Sequence, residues 1–557
     1  MTQTPTRSNG QWAVDGRAPL NANEEFKAVD GRPLDVRERI EQIYSVQGFD
    51  SIDPDDLHGR MRWWGLYTQR KPGIDGGRTG SLGPDELSDR YFMMRIRSDG
   101  GALTTEQLRE IGHISTDFAR GTADVSDRQN FQLHWIEVEA VPEIWRRLDA
   151  VGLGTIEACG DTPRVILGSP LAGVAADEII DPSPVIEEIL ARYLGDPELA
   201  NLPRKFKSAI TGHPSLDVVH EINDISFVGV VHPELGAGYD LWVGGGLSTV
   251  PRLAERLGAF VTAEQAADVW YGVIRLFRDY GYRRLRAKAR LKFLLADWGP
   301  AKLRQVLQDE YLGYALPDGP APAPASGAGD HVGVHEQKDG RRYVGLAPTV
   351  GRLSGAGLIA LADAAEAAGS RRVRLTPHQK LVVLDVDPDA VDALVAAAEP
   401  WGLTATPSPF RRNTMACTGI EYCKLAFVNT KDTARVTIDQ LEQRLAGVDL
   451  DVPISLHVNG CPNSCARIQV ADIGLKGQIA KAADGTDEFA FQVHLGGGLA
   501  SDHRDEAGLG RTMRGLKVTA TDLPDYVERV VRRFVEARDA GETFSAWVAR
   551  TDEDSLR

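Results

Sequence analysis

The chain has 557 residues, and its 63 Lys and Arg against 79 Asp and Glu give a net charge of −16. At roughly 100 to 200 residues per domain this length implies several domains or one large repeated architecture, and 42% hydrophobic with 25% charged residues is ordinary globular composition, which excludes disorder for the bulk of the chain. An acidic protein does not draw nucleic acid or anionic lipid by its overall field, so neither is expected as a partner, and any anionic ligand needs a local basic pocket. The opening MTQTPTRSNGQWAVDGR has no apolar stretch, and no apolar run approaches about 18 residues, so the expected location is cytoplasmic and off the membrane.

In chain order, residues 1–58 are polar with little apolar periodicity and read as an extension that wraps the body. In residues 59–152, TTEQLREIGHISTDFARG has apolar residues at helical intervals and is followed by the strand-like SDRQNFQLHWIEV. Residues 153–316 form a larger mixed unit containing DISFVGVVHPELGAGYDLWVGGGLST. Within it RRLRAKARLKFLLADWG, from Arg283, reads as a helix whose cations face solvent, an anionic cofactor or an acidic partner. Residues 317–330, PDGPAPAPASGAGD, have linker composition. Beyond the linker the order repeats. Residues 331–403 carry the helical SGAGLIALADAAEAAGS and the strand-like LTPHQKLVVLDV, and residues 404–557 carry ADIGLKGQIAKAADGTDEFAFQVHLGGGLAS. Three features kept in one order imply an internal duplication, hence an α+β fold with a pseudo-two-fold repeat. Neither GGGL turn supplies a G-x-G-x-x-G opening a helix, so no nicotinamide or flavin domain is expected. His134, His378 and His457 fall in apolar strand-like runs and read as structural.

Five cysteines in a chain of this length are no disulfide scaffold. Cys159 stands alone, whereas Cys417, Cys423, Cys461 and Cys465 form a C-x5-C and a C-x3-C pair within one stretch. Four thiols so grouped suit a metal centre. The wide first spacing favours an iron–sulfur cluster over zinc, with zinc and unligated cysteine remaining open on spacing alone.

CTGIEYCKLAFVNT and NGCPNSCAR, together with YFMMRIR, SDRQNFQLHW, DTPRVILGSP and LPRKFK, resemble in order and spacing the siroheme-containing sulfite and nitrite reductases, in particular the single-chain ferredoxin-dependent members. The resemblance covers roughly residues 58 to 550. It implies that the strand–helix–strand modules pair as ferredoxin-like half-domains, and that siroheme and a [4Fe-4S] cluster sit between the larger units. It further implies that Cys417, Cys423, Cys461 and Cys465 ligate the cluster, with the Cys465 thiolate shared with the siroheme iron. Arg128 is then expected to meet the carboxylates of siroheme, helped by Asn130 and Gln132 on the same face of an alternating strand. Arg95, Arg164, Lys205 and Lys207 are expected around the substrate, the two lysines pointing to one side of an extended segment.

The reaction implied is the six-electron reduction of sulfite to sulfide, with reduced ferredoxin as donor. A ferredoxin-dependent nitrite reductase forming ammonia is the alternative. Lys207 favours sulfite, because nitrite-preferring relatives tend to have asparagine there and a dianion with three oxygens gains more from an added cation. Cys159 precedes Arg164 closely, and Tyr67 is expected at the same cavity, so a Tyr67–Cys159 thioether cross-link is a further expectation.

Overall fold

The computed structural model describes Asn21, Asn23, Glu24, Lys27 and residues 33–482 and 484–557. Of the expected extension, residues 1–20, 22, 25, 26 and 28–32 lie outside the described residues. Residues 33–58 differ from the sequence expectation, because they form short helical turns. Val36, Ile40 and Tyr44 recur every fourth residue and bury one side chain per turn in the same core as Trp63 and Trp64. A single apolar residue per turn is too sparse a stripe to stand out from its polar surroundings.

The first half supplies β1 (Leu66–Arg70), β2 (Ser88–Ile96), β3 (Ala102–Thr104), β4 (Thr122–Val125), β5 (Phe131–Ile136), β6 (Pro163–Gly168), β7 (Phe206–Thr211), β8 (Ile225–His232), β9 (Gly236–Val243) and β10 (Glu255–Val261). The second half supplies β11 (Gly333–Glu336), β12 (Arg342–Pro348), β13 (Arg352–Ser354), β14 (Arg372–Leu375), β15 (Leu381–Val386), β16 (Leu403–Thr404), β17 (Thr414–Ala416), β18 (Leu456–Asn459), β19 (Ile473–Lys481), β20 (Asp487–Leu495) and β21 (Arg511–Thr519). They form four sheets, two per half, so the expected α+β duplication is the architecture observed.

The half-domain sheets run β1-β2-β5-β4-β13 and β11-β12-β15-β14-β3. Each therefore borrows its last strand from the other half: Arg352 pairs with Asp124, and Arg372 with Thr104. One apolar core spans both sheets and includes Leu108, Ile111, Leu358 and Leu361 from the helices Thr105–Phe118 and Gly355–Ala367. The first helix opens on Thr104, which accepts from Gln107 N at 3.1 Å while Gln107 Oε1 accepts from Thr104 N, and the second on Ser354. The helices meet at Gly112 and Gly355. A Cβ on Gly112 would stand 2.7 Å from the Gly355 carbonyl oxygen, so no larger residue fits without parting them.

The larger units repeat each other strand for strand, as β10-β9-β8-β7-β6 and β17-β18-β19-β20-β21. In each, the first three strands in chain order are parallel and the last two turn back antiparallel. Each has its own apolar core, with Trp270 and Phe277 in the first and Val530 and Phe534 in the second.

The cationic run from Arg283 corrects the sequence reading. Apart from a single 3-10 turn at Arg286–Lys288 it becomes helical only at Leu291, and Arg283, Arg286 and Arg290 are engaged by carboxylates and do not line a solvent-facing stripe. Arg290 Nη2 donates to Asp224 Oδ2 at 2.7 Å, Arg283 Nη1 to Glu24 Oε2 at 2.8 Å and Arg286 Nη2 to Asp161 Oδ1 at 2.9 Å. Asp161, almost fully buried, also receives Lys27 Nζ at 3.0 Å and Arg204 Nη1 at 3.4 Å, so this carboxylate pins the extension to the first unit. Burial alone would raise its pKa, but Lys27, Arg286 and Arg204 outweigh that and hold it well below the usual carboxylate range. Asp161→Asn should therefore lose about 3 kcal/mol of stability at pH 7. A group with a depressed pKa contributes above its unfolded value and loses that contribution as pH falls through the folded one, so the deficit should close only below about pH 4, measured by urea unfolding across pH.

Candidate active site

All four clustered cysteines leave from the C-terminal ends of the neighbouring parallel strands β17 and β18. Cys417 follows β17 directly, and its N–H donates to Val458 O at 3.1 Å, which fixes it beside β18. Cys423 follows after a 3-10 turn at Gly419–Glu421. Gly419 has φ +70°, and a Cβ there would lie 2.4 Å from Thr430 Oγ1. Cys461 and Cys465 occupy the loop after β18, where the Gly460 N–H donates to Cys417 Sγ at 3.2 Å. All remain free thiols. Burial, and then the neighbouring Cys465, push the Cys417 thiol up to about 12, and burial followed by Cys465 and Cys423 raises that of Cys461. Cys465 thus opposes ionisation of Cys417, Cys423 and Cys461, and a bound cation would reverse that balance.

The loop carrying Cys423 is clamped from the first half by residues that the sequence reading missed. Arg70 N–H donates to Tyr422 O at 2.8 Å, and its guanidinium reaches the carbonyls of Ile74 and Asp75 at 3.1 Å. His134 stacks on Tyr422 with ring centroids 3.7 Å apart, consistent with a structural histidine. Arg352 bridges Asp124 at 2.7 Å and Glu421 at 2.9 Å, tying β13 and β4 to the segment between Cys417 and Cys423. Nothing local in the sequence marks these contacts, since their partners lie in distant segments.

On the other side stand the expected cations. Arg95 lies on β2, and its Nε is buried with no hydrogen-bond partner. The charges acting on it come from Cys159, Tyr67, Asp127 and Cys465, which places these groups around one space. Lys205 precedes β7 and Lys207 lies within it, and each acts electrostatically on its cationic neighbours, with Lys207 among those acting on Lys205. Burial, then Arg128, lowers Lys207 to about 7, while burial and then Lys207 lower Lys205 well below the usual lysine value. Arg164 donates from Nε to Gly160 O at 2.8 Å and so holds the loop that carries Cys159. Cys159 is fully buried and Tyr67 feels it directly.

The set around Arg128 is corrected in detail. Arg128 and Asn130 lie on a turn before β5, with Gln129 at φ +51°, not on a strand with Gln132. Arg128 spends Nη1 on Asn223 Oδ1 at 2.6 Å and Nη2 on Val165 O at 2.7 Å, tying β6 to the loop before β8. Burial lowers it to about 10. Asn130 Oδ1 accepts from Ser126 Oγ at 2.6 Å and is already engaged. Gln132 lies in β5 beside Thr418, with oxygens 3.4 Å apart. His378 sits on a turn, whereas His457 lies in β18 as expected for a strand position.

Among the described residues the arrangement leaves two needs unmet: a multi-cysteine set in which Cys465 opposes ionisation of its neighbours, and a group of cations, Arg95, Lys205 and Lys207, whose side chains are hydrogen-bonded to no carboxylate. A metal–sulfur cluster answers the first and an anionic macrocycle with an oxyanion answers the second, so the residues present fit both groups.

Comparison with known proteins gives the same assignment. The nitrite and sulphite reductase 4Fe-4S domain matches residues 159–316 and again 408–557. The nitrite/sulfite reductase ferredoxin-like half domain matches residues 85–151 and 335–400. The chain belongs to this reductase family. Family membership brings siroheme and the [4Fe-4S] cluster as its cofactors. Sulfite reductase [ferredoxin] 1 of Mycolicibacterium paratuberculosis is 58% identical over 99% of each chain. The assimilatory ferredoxin-dependent nitrite reductase of Haloferax mediterranei is 36% identical over 94% of this chain and 90% of its own. The structure of Mycobacterium tuberculosis NirA protein superposes with a TM-score of 0.95 at 59% identity, over 99% of this chain and all of that one. Among the described residues no helix is long and apolar enough to cross a membrane.

Proposed function

We propose that this chain reduces sulfite to sulfide with six electrons taken from reduced ferredoxin, in the cytoplasm, with Cys417, Cys423, Cys461 and Cys465 holding the cluster. The observation that carries this reading is the group of cations Arg95, Arg164, Lys205 and Lys207, which act on one another or on shared neighbours, with Cys465 among the groups acting on Arg95 and Lys207. Full-length similarity to a protein named for sulfite and ferredoxin supports it.

When bound, siroheme and the cluster supply a redox-active iron and a relay for single electrons. The chain's own part is to bind, orient and protonate. At about 4 Å, one cation gains roughly 4 kcal/mol against an anionic oxygen at an effective dielectric near 20, so several together hold sulfite against water. Arg95 has a free Nε to donate, and Arg164 is anchored on backbone carbonyls, so its charge is fixed in place. Burial makes Lys205 and Lys207 ready proton donors at Nζ, and two protons delivered to each substrate oxygen, with two of the six electrons, let it leave as water. Polarising the S–O bonds is the arginines' share. Asn130 and Gln132 support the Arg128 turn and the cluster loop, and Arg128 contributes charge to the carboxylate-binding wall.

The decisive test is substrate preference. The purified protein should show a siroheme spectrum and a higher kcat/KM for sulfite than for nitrite, and the opposite preference would overturn the reading. Lys207→Asn should lower kcat/KM for sulfite at least about tenfold, near 1.4 kcal/mol, while nitrite reduction falls less or improves. Cys465→Ser should abolish nearly all turnover, because a serine hydroxyl would hold iron far more weakly than the thiolate. Wild-type turnover with both cofactors present would exclude Cys465 as an iron ligand. Finally, we propose a thioether between a Tyr67 ring carbon and Cys159 Sγ, formed with loss of the thiol hydrogen and one ring hydrogen to a two-electron oxidant such as dioxygen, and supported by the direct action of Cys159, Arg164 and Arg95 on Tyr67. Peptide mass spectrometry should recover the two tryptic peptides linked, and their recovery as separate, unmodified species would end the idea.

A further inference from the structure

The duplication extends to the loop that carries Cys461 and Cys465. In the first half β6 pairs with β7 through Gly168 and Ile210, and in the second β17 pairs with β18 through Ala416 and Val458. Continuing both strands from these registers aligns TGHPSLD after Ile210 with NGCPNSC after Val458. Backbone geometry supports the alignment. Leu216 and Ser464 have φ of +54° and +57°, Val219 and Arg467 have +50° and +60°, and each pair precedes a 3-10 turn, His220–Ile222 or Ile468–Val470. His213 thus stands where the other half has Cys461, Asp217 where it has Cys465, and Ser169 where it has Cys417.

These replacements still converge. The ligand atoms of His213, Asp217 and His331 all lie within 4.8 Å of one another, and all three residues are buried. His331 comes from the end of the linker, and its Nε2 is 2.8 Å from Asp217 Oδ2. Asp177 Oδ1 approaches His213 Nε2 at 3.6 Å. The His213 and His331 rings stand nearly perpendicular, 5.1 Å apart. Asp217 is oriented by Ser169 Oγ at 2.7 Å and Thr211 Oγ1 at 2.8 Å. It also lines a cavity of about 480 Å³ shared with Asp330, His378, Arg412, His457 and Arg467, which gives an ion a way in.

We propose that His213, Asp217 and His331, with Asp177 closing the shell, bind one divalent ion of the zinc class. Two imidazoles and two carboxylates are a borderline donor set that suits zinc, whereas a [4Fe-4S] cluster is held by four thiolates. The carboxylates neutralise the double charge. Ligand atoms around tetrahedral zinc lie about 3.3 Å apart, so the His331–Asp217 contact opens slightly and the others close. His213 Nδ1 lies 2.8 Å from Ser215 Oγ and 3.1 Å from the Ser215 N–H. The ion selects the tautomer in which Nδ1 donates to Oγ and Nε2 is bare, at the expense of the N–H contact. The site fastens the end of the linker to the first unit and takes no part in electron transfer. The comparison rests on the cysteine assignment proposed above, whereas the convergence of the His and Asp side chains does not.

The test is zinc titration of the chelator-dialysed holoenzyme by calorimetry, with zinc and iron read by elemental analysis. One equivalent of zinc should bind, raising the thermal midpoint and leaving iron content, visible spectrum and sulfite turnover unchanged. His213→Gln with His331→Gln should weaken binding at least a hundredfold. Asp177→Asn, whose side chain is 65% exposed and outside the buried network, should weaken it at least threefold in a normally folded protein. No zinc bound by the holoenzyme, or equal binding by the histidine double variant, would overturn the site. A missing siroheme spectrum would count against the reductase reading alone.

Discussion

Positive charge drawn into the interior with little protein counter-charge is the constraint on which the molecule is built. Arg95, Lys205 and Lys207 are set into a protein of net charge −16, yet among the described residues none of their side chains has a carboxylate hydrogen-bonded to it, and only the backbone N–H of Lys207 donates to one, Asp224 Oδ2 at 2.8 Å. Elsewhere the chain pairs such charges thoroughly, as at Asp161 with Lys27, Arg204 and Arg286, or at Asp124 with Arg352 and Lys431. The contrast locates the site. Where evolution withholds the counter-ion, the ligand has to bring it, and the cost of keeping those cations dry is met by the rigid cores on every side.

The duplication explains how one side of the molecule became specialised. Both larger units present a loop at the C-terminal end of a parallel strand, held by the same left-handed residues and backed by a GGGL turn. Gly245 packs against the carbonyls of Glu221 and Asn223, and Gly497 against those of Gln469 and Ala471, so both turns close on their loops in the same manner. On one loop soft thiolates face the arginines and lysines of the opposite half. On the other, nitrogen and oxygen ligands face a cavity in which Arg412 is already paired with Asp330 at 2.6 Å. Symmetry of backbone has been kept while symmetry of chemistry has been lost.

Much of this was legible in the sequence because it is written in contiguous strings. The repeated helices, the GGGL turns, the two cysteine pairs and K-x-K are local patterns, and the architecture and the gathering of cations follow from them. What could not be read depends on partners hundreds of positions away. Arg70 clamps the Cys423 loop, and His134 stacks on Tyr422 just before it, yet neither stands in a motif. The run from Arg283 misled because closely spaced cations look like a solvated helical face, whereas Arg283, Arg286 and Arg290 are each matched to a particular distant carboxylate. Arg128 was identified as functional but placed on a strand, since a positive φ at the glutamine after it leaves no trace in residue type.

The exchange of edge strands bears on how the protein is made. When β4 has been synthesised, its partner β13 still lies more than two hundred residues ahead, and β3 must wait longer for β14. At typical translation speeds that interval is on the order of ten seconds or more, during which the first sheet carries an open hydrogen-bonding edge. Neither half-domain can finish alone, so the nascent first half has to be shielded from other chains until the second arrives. The high sequence separation of these closing contacts makes the final assembly a slow step in reaching the native state.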